Sequence, residues 1–480
     1  MTSRREFLAL AAAATFTGRP AHASAPFAVH LRRTPPYQPM LALAMPGSDE
    51  FPGEKIAMEV EAALHAALRS GSLPLLNSRV RQEPLAVDVS RAVFGGEGTA
   101  WLASLGNIDQ ARFFVLPENT VRYEIKSQFH GKLQYRAGYG RVSWREGKLE
   151  RLDLQHEIVT TASQPWFRDI TDALFNDCPS FRDQLSRGIP YWRARLDPAT
   201  GIDIYGSNGV AVADIDNDGW DEIYVCQPGG LPNRLYKNLG KGRLADITEG
   251  SGLDLLDDTS CALFVDWRNS GRQDVVVLRG AGPLLFLNQG GNRFQLHPGA
   301  FRFAETPKGS FTGMAAADYD RDGKVDLYLC TYSFFQNEAQ YRYPVPYHDA
   351  ENGPANFLFR NVLDGDAGGY FEDVTAAAGM NQNNTRFSFA PAWCDYNGDG
   401  WPDLYVANDF GRNNLYRNTN GHFEDVAKQA GVEDIGPGMS ASWFDYDGDG
   451  RPDLYTSNMW SAAGARLVKD KNFVPAKGLE

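Results

Sequence analysis

Residues 395–403 read Asp395-Tyr396-Asn397-Gly398-Asp399-Gly400-Trp401-Pro402-Asp403. Loops with a related sequence recur along the second half of the chain, and this recurrence is the main evidence for the fold. The five loops, called loops 1 to 5 in chain order, begin at Asp214, Asp266, Asp318, Asp395 and Asp445. Their starts lie 52, 52, 77 and 50 residues apart. Strand-like runs precede and follow each complete loop, so a strand-built unit of about fifty residues repeats, as in propeller blades.

Two further strand signatures recur within the repeats. One is Asn-Leu-Tyr-Arg-Asn at 414–418, and the other is Phe-Glu-Asp-Val-Thr at 371–375. With the two strands around the loop they make four strands per repeat, the number in a propeller blade. The sequence therefore predicts a mainly β chain, with a β-propeller of four-stranded blades over residues 201–480 and a small α+β domain before it.

The loops carry oxygen donors at regular positions. Side chains at positions 1, 3 and 5 converge on one point, and the glycine at position 6 allows the sharp turn. The backbone carbonyl of position 7 and the acid at position 9 complete the set. Such donors suit Ca²⁺, which takes about 6–8 oxygen ligands, better than Mg²⁺, which needs a stricter octahedron. The predicted ligands of four calcium sites are Asp214, Asp216, Asp218, Trp220, Glu222, Asp318, Asp320, Asp322, Lys324, Asp326, Asp395, Asn397, Asp399, Trp401, Asp403, Asp445, Asp447, Asp449, Arg451 and Asp453.

An EF-hand is the obvious competing interpretation, because it shares positions 1, 3, 5 and 6. It also needs an acid at position 12 and a helix on each side. Position 12 is Val225, Leu329, Val406 or Thr456, and strand-like residues surround it. We therefore expect strands, not helices, on both sides of each loop.

Loop 2 departs from the pattern. Arg268 and Ser270 stand at positions 3 and 5, where the other loops carry an acid or an amide. We expect loop 2 to hold no calcium, with the Arg268 side chain filling the site instead.

Composition narrows the class of protein. The chain has 480 residues, 43% of them hydrophobic, which is enough for folded cores. The net charge of −13 and the lack of a basic stripe argue against a nucleic-acid binder. No apolar run reaches the about 20 residues of a membrane span.

The first residues predict export. Arg4 and Arg5 precede an alanine-rich apolar stretch and the small-residue end at Ala23, so residues 1–23 are interpreted as a twin-arginine signal peptide. The predicted location is periplasmic or extracellular. The five cysteines form no metal-binding pair, so free buried thiols are expected, with one disulfide left open.

Residues 26–163 contain no repeat. A helix is predicted over residues 54–69 and strands over 111–116, 121–129, 133–144 and 148–157, with a turn at Gly147. This order of elements loosely resembles nuclear-transport-factor-like domains. Residues 164–200 are predicted as a connector in which 167–171 match the second strand signature and could close the ring.

The repeats resemble the FG-GAP/VCBS repeats of integrin-α-like β-propellers. Residues 201–206, 226–236, 341–347 and 457–460 look more closely like bacterial proteins of the cartilage-acidic-protein (ASPIC/UnbV-associated) group. The resemblance implies an exported, calcium-stabilised propeller that is used for binding. Members of the group usually continue with further blades, so we expect either a C-terminally incomplete chain or a small five-bladed ring.

The step from loop 3 to loop 4 is long because it holds an insertion at residues 331–355. Aromatic side chains there could stack on sugar rings or anchor a protein partner, although they could equally pack against a neighbouring blade. The candidate ligand-binding residues are Tyr332, Tyr341, Tyr343, Tyr347 and His348. No catalytic motif is present, so a non-enzymatic scaffold that binds a glycan or protein is favoured over the alternative, a polysaccharide lyase or hydrolase.

Overall fold

The computed structural model describes residues 52–75, 79–86, 88–95, 100–165, 167–193, 195, 208–334, 344–345, 349–364 and 368–459. The chain forms two compact units, residues 1–161 and 162–480. Strands dominate both, which confirms the prediction of a mainly β chain. None of the helices in the described ranges has the length and apolar character needed to span a bilayer. The predicted signal peptide and residues 201–206 lie outside these ranges.

The described part of the first unit combines two α-helices with one six-stranded sheet. Its elements are α1 (Pro52–Ser70), β1 (Arg79–Ala86), β2 (Val89–Gly95), α2 (Ala100–Leu105), β3 (Asn107–Val115), β4 (Thr120–Phe129), β5 (Lys132–Arg145) and β6 (Lys148–Ala162). The strand order is β1-β2-β6-β5-β4-β3. The predicted helix and the four predicted strands are confirmed, as is the turn at Gly147.

The core of this unit lies between α1 and the sheet. Val60, Leu64 and Leu68 recur at helical spacing and are buried. They belong to one cluster with Trp101 of α2 and Val121 of β4. The amphipathic pattern of α1 therefore sets which face of the helix covers the sheet.

The β1–β2 hairpin was not predicted from the sequence. Pro84 lies inside β1, where a proline argues against a strand, and the pairing slips between Pro84 and Ala86. The strand order shows why the proline is tolerated, because β1 is the edge of the sheet and needs no partner on its outer side.

Three short helices open the second unit: α3 (Thr171–Leu174), α4 (Pro179–Asp183) and α5 (Gly188–Arg193). The predicted ring-closing strand at 167–171 is wrong, since 167–170 have no regular structure and Thr171 begins α3. Asp169 accepts the backbone N–H of Thr171 at 2.9 Å. The Asp-x-Thr part of the signature therefore specifies a local turn, and this turn does not by itself require a strand.

Four antiparallel four-stranded meanders and one two-stranded hairpin follow the helices in the described residues. The first sheet contains β7 (Val210–Ala213), β8 (Glu222–Val225), β9 (Arg234–Asn238) and β10 (Leu244–Asp246), and the second contains β11 (Thr259–Val265), β12 (Asp274–Arg279), β13 (Gly282–Gly290) and β14 (Arg293–His297). The third contains β16 (Gly309–Ala317), β17 (Asp326–Phe334), β18 (Phe357–Asn361) and β19 (Phe371–Asp373), with β15 (Phe301–Arg302) added in parallel to β19. The fourth contains β20 (Phe387–Cys394), β21 (Asp403–Phe410), β22 (Asn414–Thr419) and β23 (His422–Asp425). After α6 (Ala427–Ala430), a two-stranded fifth sheet contains β24 (Gly438–Phe444) and β25 (Asp453–Asn458).

Neighbouring sheets pack face to face in series. The shared apolar clusters join the first sheet to the second, the second to the third, the third to the fourth and the fourth to the fifth. This serial stacking of four-stranded sheets is the arrangement that propeller blades require. Closure of the series into a ring stays a prediction.

Candidate metal sites

Each loop joins the first strand of a sheet to the second strand, so strands flank all five loops, as predicted. The glycine at position 6 is in the left-handed region, with φ of 88° at Gly219, 87° at Gly323, 87° at Gly400 and 85° at Gly450. Only glycine adopts this conformation without strain, which is why every loop carries it.

The aspartate at position 1 holds the turn closed. In loop 1, the two carboxylate oxygens of Asp214 accept the backbone N–H groups of Asp218 at 3.0 Å and Gly219 at 2.9 Å. Loops 3, 4 and 5 repeat both contacts. Loop 2 also keeps them through Asp266. The shape of the loop is therefore encoded separately from the remaining acids.

The acid at position 9 ties the loop to the third strand of its sheet. Asp326 accepts the backbone N–H of Tyr319 at 3.1 Å and that of Asn361 at 2.8 Å. Asp403 makes the equivalent contacts at 3.2 and 2.7 Å, and Glu222 makes them at 3.0 and 3.3 Å. This carboxylate is consequently buried in all of the first four loops.

Three loops bring acidic oxygens together closely enough to share one ion. The three groups are Asp214, Asp216 and Asp218; Asp318, Asp320 and Asp326; and Asp445, Asp447 and Asp453. Within each group the ligand atoms lie within 4.8 Å of one another. Two oxygens bound to the same Ca²⁺ at about 2.4 Å cannot be farther apart than about 4.8 Å, so the donor sets fit that ion.

Burial makes these acids costly to ionise without a cation. It raises the pKa of Asp326 to about 8, with the neighbouring Asp320 adding to the rise against two backbone hydrogen bonds. Burial likewise raises the pKa of Asp403 to about 6. A bound divalent cation would supply the missing positive charge.

Comparison with known proteins agrees with the repeat pattern. Residues 214–277, 266–329 and 395–456, which together contain all five loops, match the model of the FG-GAP-like repeat. These three segments are therefore similar to FG-GAP-like repeats. Cartilage acidic protein 1 of Xenopus tropicalis is 28% identical over 232 residues, covering 46% of this chain and 32% of that protein. The human protein of that name is 26% identical over 242 residues, covering 49% and 33%.

The chain thus spans about a third of the length of the curated relatives that it matches. A solved Agrocybe aegerita lectin that recognises non-reducing terminal N-acetylglucosamine aligns with 52% of this chain and 74% of its own, at 16% identity. Its TM-score of 0.26 is too low to support a conclusion.

Loop 4 offers a different set of oxygen ligands, because its position 3 is Asn397, whereas loops 1, 3 and 5 have an aspartate there. The amide of Asn397 donates to Asp399 at 2.9 Å, and its oxygen accepts the backbone N–H of the same residue. The backbone N–H of Trp401 at position 7 donates to Asp399 at 2.9 Å, so this residue helps to shape the loop through its main chain. In loops 1, 3 and 5 the same N–H contact is made by Trp220, Lys324 and Arg451.

Loop 2 is closed by an arginine. Two nitrogens of the Arg268 guanidinium bind the two carboxylate oxygens of Asp274, each at 2.9 Å. Both side chains are buried, with 4% and 0% of their surface exposed. The expected contact between Arg268 and the loop carboxylate is therefore present. The expectation that loop 2 holds no calcium stays a prediction.

Loop 1 contains a basic residue that sequence reasoning missed. The Lys237 ammonium on β9 binds Asp216, lies 2.8 Å from Asp218 and lies 3.7 Å from Glu222. The sequence contains one indication of this contact. Ala245 stands at the position of the second strand signature that is occupied by Glu372 in the third sheet and by Glu424 in the fourth.

The aromatic insertion is only partly described. Tyr332 packs edge-on against Phe387 and Phe389 of the fourth sheet, and its hydroxyl donates to Asp409 at 2.5 Å. Tyr332 therefore makes the neighbouring-sheet contacts that were the alternative to ligand binding. The other four candidates, Tyr341, Tyr343, Tyr347 and His348, lie outside the described residues.

The cysteines are free in the structure, as expected. Cys178, Cys226 and Cys330 are buried, and Cys261 and Cys394 are partly buried. Burial raises the pKa of Cys261 to about 12, so this thiol stays protonated and unreactive.

Proposed function

We propose that this protein is an exported calcium-binding β-propeller that acts as a non-catalytic scaffold for binding a glycan or a protein partner. The observation that carries the proposal is the recurrence of a three-carboxylate cluster at the same place in the first, third and fifth sheets. A catalytic pair of acids would be expected at one place, whereas a repeated cluster points to a repeated structural ion.

Calcium would tie each loop to its sheet. The acid at position 9 already binds the loop and the third strand through backbone N–H groups, so an ion at that acid would stabilise the whole blade. One further observation favours an ion, because Asp216 Oδ1 is buried and has no hydrogen-bond partner. A buried carboxylate oxygen without a partner is costly, and a cation would satisfy it.

The calcium proposal is tested by removing the ion. Purified full-length protein should contain calcium by elemental analysis. Excess chelator should lower the melting temperature by about 5 °C or more, since a site filled at a hundred times its dissociation constant contributes about 2.7 kcal/mol. Calcium added back, but not the same concentration of Mg²⁺, should restore the original melting temperature. An identical melting curve with and without chelator would refute the structural role.

The binding proposal assigns recognition to the insertion between β17 and β18. Asp349 anchors the end of this segment, because it binds Arg386 at 2.6 Å and Arg412 at 2.9 Å on the fourth sheet. Deleting residues 336–347 keeps that anchor and should abolish binding to any glycan that the intact chain captures on a glycan array. Binding that survives in the folded deletion variant would place the site elsewhere. Turnover of a uronate polymer would instead favour the enzymatic alternative.

Export by the twin-arginine route, membership of the bacterial cartilage-acidic-protein group and closure of the ring belong to the same proposal. The test of export is replacement of Arg4 and Arg5 by lysine, which should retain the chain in the cytoplasm.

A further inference from the structure

A basic residue recurs on the third strand of three sheets. In the third sheet Arg360 lies directly opposite Glu372 of β19, and the two side chains form an ion pair of 2.8 Å. In the fourth sheet Arg417 lies directly opposite Glu424 of β23 and makes the same pair at 2.8 Å. Each arginine is thus held by a glutamate that lies directly opposite it on the fourth strand of the meander.

The first sheet has the basic residue without that partner. Lys237 lies directly opposite Ala245 of β10, the position that the glutamates occupy in the other two sheets. Its ammonium turns to loop 1 instead, where it binds Asp216 and lies 2.8 Å from an oxygen of Asp218. An oxygen of Glu222 is 3.7 Å away. All three are acids of the predicted calcium site.

We propose that the Lys237 ammonium is a built-in cation of loop 1, directed there by Ala245, which competes with calcium for the same carboxylates. An ammonium is a compact point charge with three donors, so it can bridge two carboxylates, but it cannot replace a ligand shell of about 6–8 oxygens. Calcium must displace it in order to reach Asp216 and Asp218. Loop 1 therefore binds calcium more weakly than a loop whose basic residue is held by a glutamate. This inference rests on the proposed calcium binding.

Loop 2 provides an independent precedent within the same chain. There Arg268 comes from position 3 of the loop itself and binds the acid at position 9, in a loop whose positions 3 and 5 carry no acid. Loop 1 keeps its acids and receives a cation from a neighbouring strand. The first two loops thus both hold a side-chain cation, whereas Arg360 of the third sheet remains paired with Glu372.

Two substitutions separate the effect of Lys237 from a general loss of charge. Lys237→Met removes the ammonium while keeping most of the unbranched apolar stem of the side chain. Ala245→Glu keeps the lysine and restores the cross-strand partner. Arg417→Met is the matched control, because it removes a positive charge from the equivalent position of the fourth sheet, where that charge is already held by Glu424.

Terbium luminescence measures loop 1 selectively in the full-length protein. Trp220 at position 7 is half exposed and belongs to loop 1, so the emission lost in Trp220→Phe reports terbium bound there. The emission lost in Trp401→Phe reports loop 4 in the same way. Calcium titration by calorimetry gives the number of sites and their affinities without relying on terbium.

Lys237→Met and Ala245→Glu should each lower the half-saturating terbium concentration of loop 1 by about tenfold or more, the effect expected for losing a charge-assisted hydrogen bond. Arg417→Met should leave loop 4 unchanged. Equal half-saturation in all variants, or an equal gain at loop 4 in Arg417→Met, would overturn the role of Lys237 while leaving calcium binding intact. Absence of calcium binding in wild type and variants alike would overturn the proposed function itself. If Lys237→Met does not fold, Ala245→Glu decides the outcome.

Discussion

Single residues in this chain often secure geometry rather than chemistry. The aspartate at position 1 is the clearest case, because its two oxygens accept two backbone N–H groups in every loop. Loop 2 keeps this residue although Arg268 and Ser270 have replaced the donors at positions 3 and 5. The turn therefore forms even in a loop that lacks two of the predicted metal ligands.

A second residue-scale feature lies in the core of the first unit. Arg136 and Glu157 form an ion pair of 2.7 Å in which neither side chain is exposed. The other oxygen of Glu157 accepts the Trp101 indole N–H and the Tyr123 hydroxyl, each at 2.9 Å. Burial raises the pKa of Tyr123, so the hydroxyl stays protonated and donates. This polar network is satisfied on both sides of the pair.

Breaking this pair should be costly. Arg136→Met leaves the Glu157 carboxylate buried without its countercharge and is expected to destabilise the protein by about 3–5 kcal/mol. The matched control is Arg145→Met, which removes an exposed pair with Glu150 and should cost at most about 1 kcal/mol. Urea unfolding of the full-length variants measures both values. Equal stabilities of the two variants would contradict the assigned role of the buried pair.

At the scale of elements, one aromatic contact recurs between sheets. The tyrosine at position 11, counted from the first aspartate of a loop, packs edge-on against an aromatic residue. That residue lies two positions before the first aspartate of the next loop. Tyr328 packs in this way on Trp393 at 88°, and Tyr405 packs on Trp443 at 90°. Such edge-to-face pairs contribute beyond the area that they bury. The first, third and fourth sheets thus carry on one face a tyrosine ring that the next sheet covers.

Among the described residues, none covers the same tyrosine of the fifth sheet in that way. Tyr455 occupies position 11 of loop 5 and is 58% exposed, whereas Tyr405 is 1% exposed. Tyr405→Ala is expected to destabilise the protein by about 3–5 kcal/mol, because it empties the contact between the fourth and fifth sheets. Tyr455→Ala should change stability by no more than about 0.5 kcal/mol. Thermal unfolding of both variants makes the comparison, and a large loss in Tyr455→Ala would show that this face is covered in solution.

At the scale of the whole molecule, the raised pKa values couple stability to pH. The unfolded pKa of an aspartate is about 3.9, whereas Asp326 titrates at about 8 and Asp403 at about 6 in the folded chain. A carboxyl group with a raised folded pKa binds its proton more tightly in the native state. Its contribution to stability is therefore complete below about pH 4 and is lost as the pH rises through the folded pKa.

Metal-free protein should accordingly lose stability from these two groups between about pH 4 and pH 8. Calcium would compensate their ionised form, so the melting-temperature difference between calcium-loaded and metal-free protein should grow from pH 5 to pH 9. Groups that titrate far from the loops, such as His65, affect the melting temperatures of both forms equally, so they do not contribute to this difference. A difference that stays constant across the range would contradict the coupling.

The local features of this protein could be predicted from short stretches of sequence. The spacing of Asp, Gly and apolar residues predicted the loops, the strands beside them and the four-strand repeat, because turn chemistry and strand alternation act over a few neighbouring residues. Helix α1 and strands β3 to β6 were predicted for the same reason. The resemblance to FG-GAP repeats followed from the same short motifs.

The contacts that residues make across strands could not be predicted in this way. The edge position of β1 makes Pro84 acceptable, and residues 167–170 have no regular structure although they match a strand signature. The register of β9 on β10 places Lys237 opposite Ala245, which frees its ammonium for loop 1. These outcomes depend on pairing between distant segments, and pairing is set by the packing of whole sheets, which no short stretch of sequence contains.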